Sequence, residues 1–364
     1  MLLDLRIQNY RSFRELQIKG LSPVNLIVGA NNSGKTSLLE AVYLLVSQND
    51  PQRLLELLSN RGEFSERYLS SRTSGDISPA RRWGGVEYQV AHIFYGHQIA
   101  GEEGIRISTK KETPLSLQIQ LQPINGNQRA LFDESPNRET SASKLVFKYG
   151  SQKGIGVPVN TDGTISERAY SRPLAQEQPY RFITTNHLSF NELAGLWDGI
   201  TLTPKEEKVV EALQILEPDV ERISFTSRQT LNSGILLKLS KQKDPIPLGS
   251  MGDGMRRLLT LIASAVISEN GVLLVDEIDT GLYFKAQTQM WSLLFEMARR
   301  FKIQVFCTTH SWDCVRAFDD ASRLAKNPAI GTLFRLSRRG EKIEAVAYTA
   351  NELAIAMRQD IEVR

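Results

Sequence analysis

The chain opens with two short alternating runs. Leu3, Leu5 and Ile7 stand between polar neighbours, as a half-buried strand requires, and Leu16 and Ile18 repeat the pattern after a turn around Asn9 to Phe13. Val24 to Val28 is an apolar run closed by a glycine, which predicts a buried strand. From Thr36 the period becomes helical, with Leu38, Val42 and Leu45 on one face, and Asp50-Pro51 ends that element. A helical piece at Leu54, Leu55 and Leu58 follows. Alternating stretches then come at Tyr88–Phe94, Ile105–Ile107, Leu115–Leu121 and Leu145–Tyr149, with Asn125–Ser143 as a polar surface excursion. These predict a β-rich subdomain inserted over residues 51–186.

Residues 187–222 read as a helical lid. Thr203-Pro204-x-Glu206 has the form of a capping box with proline at the first helical position, and Val209, Val210, Leu213 and Leu216 supply the apolar face. Ile223 and Phe225, then Ile235, Leu237 and Leu239, predict a strand hairpin. From Gly249 onward helix and buried strand alternate, as in a parallel α/β sheet. The chain therefore divides into a strand–loop–helix unit (1–50), the β-rich insertion, the lid, and a second α/β lobe (223–364). There is no internal repeat and no low-complexity tract.

At 364 residues the length fits two domains or one large α/β domain. With 44 Lys+Arg against 41 Asp+Glu the net charge is +3, which excludes coating of nucleic acid by charge alone. A composition of 41% hydrophobic and 23% charged residues is that of an ordinary globular protein. The longest uncharged stretch of concern, Leu258 to Ser268, is far short of the roughly 20 residues a membrane span needs. Asp4 and Arg6 fall where a signal peptide would place its apolar region. Only two cysteines occur, Cys307 and Cys314, too few for a disulfide framework or a zinc site between them. A cytoplasmic protein with no membrane contact is expected.

The chemistry lies at the strand ends. Gly29-Ala30-Asn31-Asn32-Ser33-Gly34-Lys35-Thr36, followed by Ser37, fits GxxxxGK[ST] between a strand and a helix. Its glycines let successive N–H groups turn toward phosphate oxygens, Lys35 can reach the β- and γ-phosphates, and the Thr36 hydroxyl is placed for Mg²⁺. The apolar run Val272–Val275 ends in Asp276-Glu277, with Asp276 positioned to hold Mg²⁺ through water and Glu277 the natural general base for an attacking water. Leu248-Gly249-Ser250-Met251-Gly252-Asp253-Gly254 opens another helix and forms a second anion-binding turn. One γ-phosphate does not need two such turns from one chain, so Ser250, Gly252 and Gly254 are expected to serve a neighbouring protomer's nucleotide. A further buried strand, Ile303–Cys307, leads through Thr308-Thr309 to His310, where an imidazole could meet the γ-phosphate or the water. His92, His97 and His187 read as structural.

This order of motifs resembles the ABC-type P-loop ATPases, in the branch containing the SMC, RecF and OLD (overcoming lysogenization defect) proteins. RIQNYRSF, GANNSGKTSLLEA, SMGDGMRRLL, LLVDEIDTGLY and CTTHSWD look most like the OLD group. The resemblance spans roughly residues 1–50 and 180–364, and the middle matches only loosely. It implies an α/β P-loop NTPase, an ABC/SMC/RecF-type ATPase head that uses ATP and Mg²⁺, with two heads sandwiching two ATP molecules. Ser250, Gly252 and Gly254 would then act in trans, Asp279 would be the D-loop residue at the dimer interface, and Arg11 would touch the nucleotide. Gln89 and Gln98 are candidates for the Mg²⁺-sensing glutamine. Tyr283 stands where relatives often carry histidine, so no catalytic role is expected there.

OLD proteins commonly carry a C-terminal Toprim nuclease domain. Residues 311–364, with Asp319 and Asp320, are too few for it, so a Toprim-like nuclease or a toxin is expected as a separate effector. No long heptad stretch of the SMC kind interrupts the chain. Three functions remain open at this point. One is an ATP-driven switch that gates such an effector in anti-phage defence. Another is a RecF-like clamp on DNA, using Arg81-Arg82, Lys110-Lys111, Arg299-Arg300 and Arg338-Arg339. The third, a transporter ATPase, would need a membrane partner and has no support beyond the shared motifs.

Overall fold

A computed structural model of the chain describes residues 1–70, 81–98, 104–110, 114–124, 143–167, 179–185, 188–226, 234–325 and 328–363. The apolar run Val24–Gly29 (β3) sits inside a six-stranded sheet. The order is Tyr180–Ile183, Val272–Val275, Gln304–Thr308, β3, Gly331–Arg339, Lys342–Tyr348. The first five strands are parallel and the last is antiparallel. Every residue of β3 is buried, as expected of a strand covered on both faces. Its one polar side chain, Asn25, is satisfied internally: Nδ2 donates to Ser22 O at 2.7 Å and Val305 O at 3.1 Å.

Alternation along these strands divides the interior into two cores. Ile27, Leu274, Phe306 and Phe334 face one core, and Leu26, Val28, Leu273, Val275, Val305 and Cys307 face the other. The first core is shared with the helix Lys35–Val46 (α1) and with a second, antiparallel sheet. That sheet contains Asp4–Tyr10 (β1) and Phe13–Lys19 (β2), in the order β2, β1, Ile105–Thr109, Leu115–Pro123, Ser143–Tyr149, Ile155–Val159. The second core takes in the helices Phe190–Asp198, Pro204–Gln214, Asp253–Ile267, Phe284–Arg300 and Trp312–Leu324. Among the described residues no helix is long and apolar enough to cross a membrane.

Several expectations are corrected. The strands of residues 105–159 do not stand apart as an insertion but continue the sheet begun by β1 and β2. Tyr180–Ile183, also inside the expected insertion, joins the parallel sheet. The strand expected over Tyr88–Phe94 ends at Gln89 and gives way to tight 3₁₀ turns, because Ile93 O accepts the Arg11 N–H at 2.8 Å. Leu3 is 53% exposed while Leu2 is buried, its N–H donating to Gln304 Oε1. The Thr203 box is not reciprocal: Thr203 Oγ1 accepts from Lys205 N–H, whereas Glu206 accepts from Leu202 N–H. Reciprocal boxes occur instead at Ser189–Glu192 and Thr349–Glu352. The Asn125–Ser143 excursion, apart from Ser143, and His187 and Lys111 lie outside the described residues.

The turn between β1 and β2 is pinned to α1 by buried charge. Arg11 is 7% exposed, with Nε 2.6 Å from Glu40 Oε2 and Nη1 2.8 Å from Glu63 Oε1. Glu40, 2% exposed, also accepts from Tyr10 Oη at 3.1 Å and Arg61 Nε at 2.5 Å. Burial raises the Tyr10 pKa, reinforced by Glu40, so the phenol stays a donor. The guanidinium of Arg11, the residue expected at the nucleotide, is engaged by two carboxylates that fix the turn. Removing one partner of a buried pair leaves the other uncompensated. Glu40→Ala is therefore expected to lose about 3–5 kcal/mol of stability by denaturant titration. Arg6→Ala, which breaks the exposed Arg6–Glu15 pair, is expected to lose no more than about 1 kcal/mol. Equal losses in the two variants would contradict the assignment.

Candidate nucleotide-binding and hydrolysis site

Four chain segments meet at the C-terminal edge of the parallel sheet, where open α/β folds bind ligands. The first is the loop Gly29–Thr36. Gly34 has φ 95°, and a Cβ there would fall 2.7 Å from Phe13 Cζ and 2.8 Å from Ser12 Oγ. At Gly29, φ 149°, a Cβ would lie 2.5 Å from Leu336 O. Asn32 is also left-handed, at φ 59°. Such a backbone turns consecutive N–H groups inward, which is what an anion requires. Asn31 and Asn32 are exposed, whereas Ser33 and Ser37 are buried. The Ser33 hydroxyl has no hydrogen-bond partner among the described residues.

Lys35, 6% exposed, donates from Nζ to Gly29 O at 2.8 Å and Ala30 O at 2.9 Å. Burial pulls its pKa down, opposed by Asp276 and Glu277. The Thr36 hydroxyl donates to Asp276 Oδ2 at 2.9 Å, across the space between the loop and the second segment. Asp276 ends the strand Val272–Val275. Its Oδ1 accepts from Thr308 Oγ1 at 2.5 Å, and its N–H donates to Ile183 O at 2.8 Å. Thr36 and Asp276, expected as the Mg²⁺ pair, thus stand side by side with only oxygen donors, the ligand type that hard cation prefers.

Glu277 follows in a left-handed conformation, φ 45°, costly for a residue with a side chain. Thr308 Oγ1 accepts its N–H at 2.8 Å, and Arg257 Nη2 lies 3.3 Å from its carbonyl oxygen. Asp279 Oδ1 accepts from Thr309 Oγ1 at 2.5 Å. Beyond Thr309 lies His310, exposed at the edge of this group. Burial lowers its pKa, Lys35 adds to the effect, and Glu277, Asp279 and Asp276 oppose it. The ring is therefore neutral at pH 7 and able to accept as well as donate.

Ser250 is exposed, with its hydroxyl on Pro247 O at 2.8 Å. Gly252 (φ 87°) begins the Asp253–Ile267 helix without a side-chain cap. Nothing lies within 4 Å of a Cβ built at Gly249 or Gly252, while Gly254 approaches Leu282 and Gly281. Of the glutamine candidates, Gln89 bonds His92 and Gln98 is exposed. His92 and His97 meet through their Nδ1 atoms, 3.3 Å apart. Tyr283 is 64% exposed and packs edge-on against Phe284. Three residues of the site had gone unread. Thr308 carries the bonds to Asp276 and Glu277, Thr309 fixes Asp279, and Arg257 reaches the Asp276 and Glu277 carbonyls. The polar pair Thr308-Thr309 at the end of an apolar strand was the available signal.

Residues 24–313 match the family described as "AAA domain, putative AbiEii toxin, Type IV TA system". An "ATP/GTP phosphatase" of Helicobacter pylori is 23% identical over 354 residues, covering 89% of each chain. A RecF DNA replication and repair protein of Acinetobacter baylyi is 49% identical over 43 residues, 12% of each chain. Among solved structures, an SMC head bound to the C-winged helix domain of ScpA covers 96% of this chain and 99% of its own. It aligns with a TM-score of 0.50 at 15% identity, a likeness of fold.

Two outcomes are expected from this geometry. Lys35→Ala removes the ammonium beside the loop carbonyls and should weaken binding of a fluorescent ATP analogue by about tenfold or more. Wild-type turnover should be level above the ordinary histidine pKa of about 6.5 and fall below it as His310 protonates. An acid limb that persists unchanged in His310→Ala would assign that titration to another group.

Proposed function

The chain belongs to this AAA-domain family and is an ABC-type P-loop ATPase of the SMC/RecF kind, and from that premise we propose that it is an ATP-driven dimerising switch. Two copies close head-to-tail around two ATP molecules, and the cycle of closing and release gates a separate effector, a Toprim-like nuclease or a toxin, in anti-phage defence. One observation carries the reading. A single chain holds a complete phosphate cradle with its Thr36–Asp276 contact, and also an exposed, uncapped signature turn at Ser250–Gly252. Such a helix N-terminus attracts anions through its unpaired N–H groups and dipole. The family description, with its toxin–antitoxin wording, supports the defence role. The free, buried Cys307 and Cys314 suit a reducing cytoplasm.

In this reading the loop N–H groups and Lys35 hold the β- and γ-phosphates. Thr36 and Asp276 would hold Mg²⁺, which would neutralise charge on the phosphate oxygens. Ser250, Gly252 and Gly254 of the partner copy contact the γ-phosphate from the opposite side, with Asp279 at the dimer interface. Glu277 takes a proton from the attacking water as its oxygen bonds to the γ-phosphorus. The bond to the bridging oxygen breaks, giving ADP and phosphate. His310 orients the water or the γ-phosphate from the adjacent strand.

A DNA clamp draws support from the short stretch of RecF identity. The Arg299-Arg300 pair supports it less, because Arg299 is paired with Glu296 and Arg300 with Glu211.

Glu277→Gln is expected to bind ATP and accumulate a closed dimer with little turnover, read as a doubling of mass by light scattering on addition of Mg-ATP. Turnover at the wild-type rate in that variant would remove Glu277 as the base. Ser250→Arg should spare ATP binding and abolish hydrolysis; loss of binding would sink the in-trans assignment. The product of the adjacent gene, co-expressed with the Glu277→Gln chain, should bind it only when ATP is present.

A further inference from the structure

The helix that begins at the signature turn carries two consecutive arginines that reach opposite ways. Arg256 Nη2 donates to Leu188 O at 3.1 Å, toward the Phe190–Asp198 helix. Arg257, 2% exposed, points into the hydrolysis site and places Nη2 3.3 Å from both Asp276 O and Glu277 O. Those carbonyls bracket the backbone that Glu277 holds at φ 45°. The remaining nitrogens, Nε and Nη1, have no hydrogen-bond partner among the described residues. A buried guanidinium with two unsatisfied nitrogens is a poor source of stability. What it does supply is one Nη2 shared between two carbonyls, from one turn inside the signature helix, on the segment that carries Glu277.

We infer that Arg257 is a positioning residue that couples occupancy of the signature turn to the placement of Glu277. The inference rests on the dimerising-switch reading. A γ-phosphate from the partner copy, seated against the open turn at Gly249–Gly252, shifts the Asp253–Ile267 helix along its axis. Because Arg257 grips both carbonyls, the left-handed backbone at Glu277 moves with the helix and brings the carboxylate to the water. The free Nε and Nη1 leave room for the guanidinium to take a new acceptor as it moves, and Asp279, Asp276 and Glu277 are the carboxylates whose charges reach it. The signature of each chain thereby governs its own base. Each site is then switched by the nucleotide bound in the other, so the two hydrolysis events are linked.

The test compares Arg257→Met and Arg257→Lys by ATP affinity and by kcat at saturating ATP. Arg257→Met is expected to bind ATP within about twofold of wild type while kcat falls at least about tenfold. Lysine keeps the charge without the planar fork, so Arg257→Lys should recover part of kcat. In the Glu277→Gln background, Arg257→Met should still accumulate the closed dimer, because closure precedes positioning. A wild-type kcat in Arg257→Met, or equal losses of affinity and kcat, would overturn the inference. If the methionine variant does not fold, Arg257→Lys decides: normal affinity with reduced kcat supports it, and wild-type kcat overturns it. A failure of the switch reading itself appears elsewhere, as no dimer of Glu277→Gln with ATP.

Discussion

The Asp276 carboxylate is the joint on which the site depends. One oxygen takes the Thr36 hydroxyl and the other the Thr308 hydroxyl, so the first turn of α1 and the ends of two neighbouring parallel strands are clamped through one side chain. Strand register makes this possible. Val275 pairs with Cys307 and Thr308 with Ile27, which leaves Asp276, Thr308 and the start of the phosphate loop level at one edge. Hydrogen bonds to a charged acceptor contribute roughly 1.5–3 kcal/mol each. Here they stand on a floor of fully buried Leu274, Val275, Phe306 and Cys307, where water competes little. The same hydroxyl of Thr308 accepts the Glu277 N–H, so the Glu277 backbone is fixed by the group that also holds the Asp276 carboxylate.

The loop's shape has a second support, behind it. Gly34 packs so tightly on Phe13 and Ser12 that any side chain would displace the β1–β2 turn. That turn is held by Arg11 between Glu40 of α1 and Glu63. The helix that starts at the loop and the turn that shapes the loop are thus joined by one buried ion network. Arg11 thereby supports the shape of the loop from behind. Its left-handed φ of 49° is another sign that the turn is held by tertiary contacts.

The motifs could be read from the sequence because each combines a distinctive residue pattern with a simple element. Gly29–Thr36, Asp276-Glu277 and His310 all follow apolar runs too regular to mistake. The layer arrangement could not be read in this way. Strands Ile105–Thr109 and Leu115–Pro123 alternate as any half-buried strand does, and alternation does not say which sheet a strand joins. Their pairing with β1 across a long interval is a tertiary fact. Thr308, Thr309 and Arg257 were missed for a related reason. Their partners lie on other segments, and a buried hydrogen bond between distant residues leaves no local trace. Arg11 shows the converse: a charged residue in a turn reads as available, yet here two carboxylates from elsewhere engage it.

Charge around the joint bears on why one chain would bind nucleotide and wait. Asp276, Glu277 and Asp279 are three acidic side chains within one turn of chain, and Lys35 and Arg257 are the buried cations whose fields they share. His310, with its pKa lowered, adds no positive charge at neutral pH. Magnesium-bound ATP brings further negative charge, so the γ-phosphate in a lone chain faces a carboxylate cluster that is not fully compensated. In the proposed dimer, added positive potential would come from the second copy. A helix N-terminus carries about half a positive charge on its unpaired N–H groups, and the uncapped turn before Asp253 is such a terminus. Supplied by a second copy, it would offset the repulsion at the phosphate without placing a full formal charge beside Glu277. A lysine or arginine in the same place would pair with Glu277 and weaken it as a base. In the proposed switch, a neutral, dipolar turn would therefore suit the trans contact better than a cation, and it would make hydrolysis conditional on closure.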